Sequence, residues 1–232
     1  EMRSMRITYH GHSCVQLSSD IHSVIIDPFL SGNPAAVTKA DQIRAQHVLV
    51  THGHSDHIID AAAIAIRNQA SIIAVEELAN HFAAQGVRVE AMHVGGEWEF
   101  DFGRVQLTQA THTSSIQLED GRNGYAGVPV GFIVTMGGVT VYHAGDTGLF
   151  GDMRMIGESH DIDVALLPIG GRFTMGPKDA LIAAEWIGAR CVVPIHYDTF
   201  PPIKQDASAF VHALSLRGIT GIAMRPGESM NV

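Results

Sequence analysis

Apolar runs of strand length recur along this chain, and stretches with a helical period separate several of them. Residues 6–10 and 14–17 read as one extended segment interrupted by Gly11-His12-Ser13. Residues 23–28 read as a second strand that folds back on it across the turn 18–20. Residues 29–46 are loop-like, with a turn cluster at Ser31-Gly32-Asn33-Pro34 and a short helix expected over 41–46. A buried strand over 47–50 precedes an alanine-rich helix over 61–66, and a strand over 71–75 precedes a helix over 76–85 that Gly86 stops. Residues 87–94 form another strand, Gly95-Gly96 turns the chain, and 97–102 and 105–110 make a meander. Residues 116–127 read as a polar, glycine-rich loop. Residues 129–136 and 139–143 form a hairpin around Gly137-Gly138. Beyond it, a helix is expected from near Leu149, strands over 163–169, 191–195 and 221–224, and helices over 178–188 and 206–217.

The first half is therefore rich in strands and the second interleaves strands with helices. No linker or low-complexity stretch divides them, so residues 1–232 are expected to form one domain of two sheets with helices outside. Asp27 and Asp146 each end a strand after a hairpin, a weak internal symmetry.

Composition narrows the class. Hydrophobic residues make up 46% of the 232 and charged residues 17%, as in a globular chain. No apolar run approaches the ~18 residues a membrane span needs. No apolar segment follows the first five residues, so no secretory signal is expected, and residues 1–4 read as a non-native extension ahead of a start at Met5. Cys14 and Cys191 lie in apolar surroundings and read as buried thiols of a cytoplasmic protein. The net charge of −9 argues against nucleic acid as a partner, because phosphate backbones call for clustered Lys and Arg. Bound divalent cations would offset part of that charge.

The candidate chemistry sits at strand ends. Thr51-His52-Gly53-His54-Ser55-Asp56-His57 packs three imidazoles and one carboxylate into the junction between the 47–50 strand and the following helix. Imidazole is the commonest protein ligand for zinc, and carboxylate suits harder divalent ions. Open α/β folds bind ligands at this position, outside the carboxyl end of a strand. His112 follows another strand, as a ligand or as a surface-loop histidine. Asp146, in Ala144-Gly145-Asp146-Thr147-Gly148, either caps a helix or bridges two cations with its two oxygens. His196 follows the 191–195 strand. Asp27 is either a hydrogen-bonding partner of a ligand histidine or a cap before Pro28. His12 either points toward the same place or is an ordinary strand histidine, and His143 and Tyr197 adjoin the ligand-type residues. In the loop 170–177, Phe173 and Met175 are candidates for apolar contact with a substrate. Arg172 and Lys178 either meet a phosphate or carboxylate or are solvated.

The set His52, His54, Asp56, His57, His112, Asp146 and His196 resembles the ligand set of the metallo-β-lactamase fold superfamily of metal-dependent hydrolases. Four further stretches resemble its UPF0173 branch, near the ascorbate-6-phosphate lactonase-like proteins. These are Tyr-His-Gly-His-Ser-Cys at 9–14, His-Ala-Gly-Asp-Thr-Gly at 143–148, Gly-Gly-Arg-Phe-Thr-Met-Gly-Pro at 170–177 and Pro-Ile-His-Tyr-Asp-Thr-Phe-Pro at 194–201. Ile58-Ile59-Asp60 departs from the superfamily, many members of which carry a glycine at the third place. The resemblance implies a four-layer αββα sandwich, two mixed sheets with helices on the outer faces. It also implies two divalent metals, zinc first, with manganese or a mixed pair as alternatives. His52, His54 and His112 would hold one ion, Asp56, His57 and His196 the other, and Asp146 would bridge them. Two ions ~3.5–4 Å apart share and activate a hydroxide. That hydroxide would attack a small ester, lactone, amide or phosphoester, with Asp56 and Asp146 as the carboxylates nearest the chemistry.

Three other functions compete. A di-iron oxygen- or nitric-oxide-reducing protein on this fold would be expected to carry an acidic residue at position 54. An RNA or nucleotide phosphodiesterase would be expected to carry an inserted domain or a basic arm. A non-catalytic metal-binding protein would hold metal without turnover. A small-molecule substrate and self-association into a homo-oligomer complete the expectations.

Overall fold

The computed structural model describes residues 4–232; residues 1–3, and with them most of the suggested extension, lie outside the described residues. In chain order the elements are β1 (Arg6–Gly11), β2 (Cys14–Ser18), β3 (Ser23–Ile26), β4 (His47–Leu49), α1 (Ser55–Ile58), α2 (Ala61–Asn68), β5 (Ser71–Val75), α3 (Glu76–Ala83), β6 (Arg88–Met92), β7 (Glu97–Phe100) and β8 (Gly103–Gln109). They continue with β9 (Ser115–Gln117), β10 (Asn123–Tyr125), β11 (Val130–Met136), β12 (Val139–His143), α4 (Met153–Ser159), β13 (Val164–Pro168), α5 (Pro177–Ile187), β14 (Cys191–Ile195), α6 (Ala207–Ser215) and β15 (Ser229–Asn231).

One sheet runs β15-β1-β2-β3-β4-β5-β6 and the other β14-β13-β12-β11-β8-β7, with β9 and β10 as a separate ribbon. Each large sheet changes character once. β3 pairs antiparallel with β2 and parallel with β4; β12 pairs antiparallel with β11 and parallel with β13. The chain leaves these two strands at Asp27 and Asp146. The weak symmetry of the sequence therefore corresponds to matching switch points in the two sheets, where open α/β folds form a crevice.

Period-two alternation divides the second sheet between two cores. Phe132, Val134, Val141, Val164, Leu166 and Val193 join the core shared with the first sheet and with α2 and α3. Ile133, Tyr142, Ala165, Leu167 and Val192 point the other way, toward α4, α5 and α6. The result is the expected helix–sheet–sheet–helix layering of the metallo-β-lactamase fold. No helix among the described residues is long and apolar enough to cross a membrane.

Local differences have physical causes. The helix expected over 41–46 is a single 3-10 turn, Ala40–Gln42, because the chain extends at Ile43 to bury that side chain. Residues 116–127 hold most of the β9–β10 hairpin, whose three-residue strands are too short to show a period. The strand expected over 221–224 shrinks to one bridge, Val192 to Gly221. The last strand is β15 instead, polar in sequence and recruited by pairing with the β1 edge. The helix expected from Leu149 begins at Met153. Cys14 is buried as expected, whereas Cys191 is half-buried; both are free thiols.

Candidate metal centre

Four strand ends and one interrupted hairpin deliver the cluster. Residues 52–57 follow β4 and enter α1; His112 follows β8, Asp146 follows β12 and His196 follows β14. His12 sits at the turn between β1 and β2. The backbone is bent hard to aim several of these groups. His12, Asp27 and His196 have φ of 59°, 49° and 54°, left-handed values that non-glycine residues seldom adopt. The His196 N–H also donates to His12 O at 2.8 Å, locking two of these bends together.

Two glycines are required by close approach. A Cβ on Gly145, at φ 65°, would lie 2.6 Å from Val130 O. A Cβ on Gly53 would lie 2.8 Å from Ser115 O and 2.9 Å from Ala126 Cβ, so the β9–β10 hairpin packs directly on the His-Gly-His backbone.

Two main groups of ligand-type atoms lie within 4.8 Å internally, His52, His54 and His112, and His12, Asp56, His57 and His196; a third such group, Asp27, His52 and His57, shares one member with each. In the first group the three rings stand nearly perpendicular to one another, at 83°, 88° and 81°. Asp146 lies between the groups. Its Oδ2 is 3.6 Å from His52 Nε2 and 3.5 Å from His112 Nε2, and 3.1 Å from both His57 Nε2 and His196 Nε2. Asp56 Oδ2 is 3.4 Å from His57 Nε2 and 3.6 Å from His196 Nε2.

Hydrogen bonds behind the cluster set which nitrogen of each ring faces inward. Asp27, fully buried, accepts from Thr51 N–H at 2.8 Å, from the Thr51 hydroxyl at 2.6 Å and from His57 Nδ1–H at 2.7 Å. With its hydroxyl proton committed to Asp27, Thr51 Oγ1 accepts from His52 Nδ1–H at 2.9 Å. Both histidines therefore turn an Nε2 lone pair inward. His12 Nδ1 is 2.7 Å from the Thr199 hydroxyl, a shorter path for that proton than the 3.2 Å to Tyr197 O. His12 Nε2 then carries the ring proton and donates to Asp56 Oδ2 at 2.8 Å. His143 does not enter the cluster. It donates from Nε2 to Ser13 O and accepts the Gly145 N–H at Nδ1, tying the turn that presents Asp146 to the one that presents His12.

Burial pushes His52, His54 and His112 below the ordinary histidine range, and His12 down to about 4, so their rings are neutral. His57 and His196 behave oppositely. Burial lowers them, but Asp146 outweighs it, joined at His57 by Asp56 and Asp27 and at His196 by Asp56. His57 ends well above the ordinary range and His196 at about 9. Burial likewise raises Asp56 and Asp146, yet the facing histidines hold both far below the usual carboxylate range. Among the described residues His52 Nε2, His57 Nε2 and Asp146 Oδ1 are buried with no hydrogen-bond partner. Convergent imidazole nitrogens beside carboxylates fit divalent cations, which would displace the protons of His57 and His196, and the nitrogen-rich first group fits zinc.

The predicted substrate loop is placed differently. Met175 is buried in the outer core and its N–H bonds to Thr147 O. Arg172 and Phe173 are exposed, with the guanidinium 5.7 Å from the ring centre, and Lys178 is exposed on α5. None of these four borders the cleft that does reach the cluster. That cleft, of about 570 Å³, is bordered by His54, Asp56, α1, α3 and the β9–β10 hairpin. Tyr197 lies half-buried against the outer core, outside both ligand groups. Thr51 and Thr199 were not singled out from the sequence. Thr51 was detectable as a hydroxyl beside a ligand-type histidine, whereas nothing local marks Thr199.

The same fold recurs in known proteins. A family model described as the beta-lactamase superfamily domain matches residues 6–196. A UPF0173 metal-dependent hydrolase of Geobacillus thermodenitrificans is 52% identical over 228 residues, 98% of this chain and 100% of that protein. One of the same name from Anoxybacillus flavithermus is 50% identical over 228 residues, with the same coverage. Among solved structures, Igni18, a metallo hydrolase of the hyperthermophilic archaeon Ignicoccus hospitalis, superposes with a TM-score of 0.90 at 36% identity, covering 99% of this chain and 98% of its own. Fold, cluster and full-length similarity define a metal-dependent hydrolase of the metallo-β-lactamase superfamily. Within that superfamily the chain belongs to the UPF0173 metal-dependent hydrolase family.

Proposed function

We propose that this hydrolase is dinuclear, with one divalent ion held by His52, His54 and His112, a second by Asp56, His57 and His196, and Asp146 shared between them. The observation that supports this most is the position of Asp146 Oδ2, within 3.6 Å of an inward Nε2 from both histidine groups. Two ions so held would activate a water as nucleophile and polarise the scissile oxygen of a small ester, lactone, amide or phosphoester.

The chain's own groups then have distinct tasks. Asp27 holds His57, and through Thr51 also His52, in the tautomer that presents Nε2. His12 steadies Asp56 by donating to Oδ2. Asp56 belongs to the cluster and also borders the cleft. Its carboxylate would also orient the attacking water by accepting a hydrogen bond from it.

Metal content measured after dialysis against zinc tests the reading. Two equivalents per chain are expected, falling to one in His54→Ala with loss of turnover. A single equivalent in the parent protein, or a His54→Ala variant with full metal and full turnover, would discard it.

A further inference from the structure

The cleft of about 570 Å³ is the size of a small-molecule site, and its lining is selective in charge. Among the described residues no lysine or arginine borders it, and its acidic group is Asp56, at the end that meets the cluster. Apolar contact comes from Ile58, Ile59 and Ile116, whereas hydrogen bonding comes from the carboxamides of Gln85, Gln117 and Asn123. His81 adds no positive charge: Gln85 Nε2 donates to its Nε2 at 2.8 Å, and burial lowers its pKa. The cation nearest in sequence, Arg122, is paired with Asp120 at 2.7 Å. Arg172 and Lys178 belong to the segment tied to Thr147, and neither borders the cleft.

We infer that this cleft receives an uncharged arm of the substrate, apolar on one side and bearing hydroxyl, ether or amide groups on the other, and that it disfavours arms ending in phosphate or carboxylate. An anionic arm lying between α3 and the β9–β10 hairpin, away from the cluster, would give up its hydration beside side chains that offer no countercharge. A neutral arm loses nothing of that kind, and three carboxamides supply both donors and acceptors. The inference rests on the hydrolase reading above and narrows it, away from phosphorylated sugars and toward neutral lactones, esters or amides.

The test uses the zinc-loaded full chain and three γ-lactones that differ in one arm: propyl alcohol, carboxyethyl or phosphoethyl. The neutral arm should have a kcat/KM about tenfold above either anionic arm. Gln85→Arg should close most of that gap through KM for the anionic arms, while Arg172→Ala leaves the ratio between arms as it was. Binding is read independently by NMR, with the matching tetrahydrofurans, which lack the carbonyl and cannot be hydrolysed, through shifts at Gln85, Gln117 and Asn123. Turnover that favours an anionic arm, with no shifts in the cleft, overturns the inference and leaves the hydrolase reading standing. Tetrahydrofuran binding in the cleft without turnover of any lactone upholds the cleft and overturns the hydrolase reading for this substrate class. Absence of both binding and turnover overturns the inference together with the hydrolase reading for this substrate class. Circular dichroism of Gln85→Arg, an exposed position, guards against misfolding, and Asn123→Lys is the second variant.

Discussion

His12 and Asp56, 44 residues apart in the chain, meet in a partly buried hydrogen bond of 2.8 Å from Nε2 to Oδ2. The two come from different elements, one at the turn of the first hairpin and one on α1. The bond makes the Gly-His-Ser turn part of the metal site even though it lies far from the His-Gly-His-Ser-Asp-His stretch in sequence.

Removing that donor should be felt at one ion more than the other. His12→Ala is expected to weaken the second zinc equivalent by about 10–100-fold, while the first, on His52, His54 and His112, changes little. His12→Gln, which keeps an N–H donor, should recover part of the loss. Chelator-competition titration separates the equivalents. Equal weakening of both, or of neither, would remove His12 from this role.

Asp27 should matter to both. Asn at position 27 would turn an N–H toward donors that now meet a carboxylate, with no water to compensate. Asp27→Asn is expected to cost the metal-free protein about 3 kcal/mol in urea denaturation and to weaken both zinc equivalents. A stable variant that loses affinity at one equivalent alone would contradict the relay through Thr51 to His52.

Protons and metal compete for the same lone pairs. His196, at about 9, and His57, also raised, carry protons at neutral pH in the metal-free protein. Metal uptake at pH 7.5 should therefore release about two protons per chain, seen by calorimetry in buffers of different ionisation enthalpy. The sign for stability follows from linkage. The contribution of these two raised histidines is full below the ordinary histidine pKa of about 6.5 and is lost as pH rises through their folded values. The metal-free protein should therefore lose stability between pH 6.5 and 8.5, while the gain in Tm on adding zinc grows. A gain that shrinks over that range would show the opposite proton balance.

Gly53 offers a test of packing. Gly53→Ala would drive a methyl against Ser115 O and Ala126, and the β9–β10 hairpin would have to retreat. Destabilisation of about 1–3 kcal/mol is expected, together with a raised KM because the hairpin borders the cleft. A thermal melt and steady-state kinetics check the two consequences separately.

Ligand-type residues were legible in the sequence because metal chemistry needs few residue types, and strand ends place them close together. His52, His54, Asp56 and His57 are local to one junction, and His112, Asp146 and His196 each follow an apolar run. The fold was legible for the same reason, since β4, β5, β13 and β14 are continuous apolar segments. What escaped was decided by distant contacts. The β15 residues Ser229, Met230 and Asn231 show no strand pattern and pair because β1 offers an edge. Met175 and Phe173 look alike in a sequence, but the bond from Met175 to Thr147 sends one inward and leaves the other outside. The β9–β10 hairpin appeared as loop, and so the wall of the cleft went unseen while the 170–177 loop drew attention.

The left-handed backbone at His12, Asp27 and His196 carries a further message about descent. At each position glycine would relax the chain, by about 1 kcal/mol or more, at the expense of a side chain in the centre or behind it. Drift without selection for catalysis should run toward glycine at His12 and His196, and not at Asp27, whose carboxylate also pairs buried donors, before it touches the easily housed His52 or His54. A relative that keeps the His-Gly-His-Ser-Asp-His stretch but has glycine at those two positions would then be a retired enzyme, unable to hold two zinc equivalents. Equilibrium dialysis on such a relative, or on a double glycine variant of this chain, would distinguish a living site from an inherited outline.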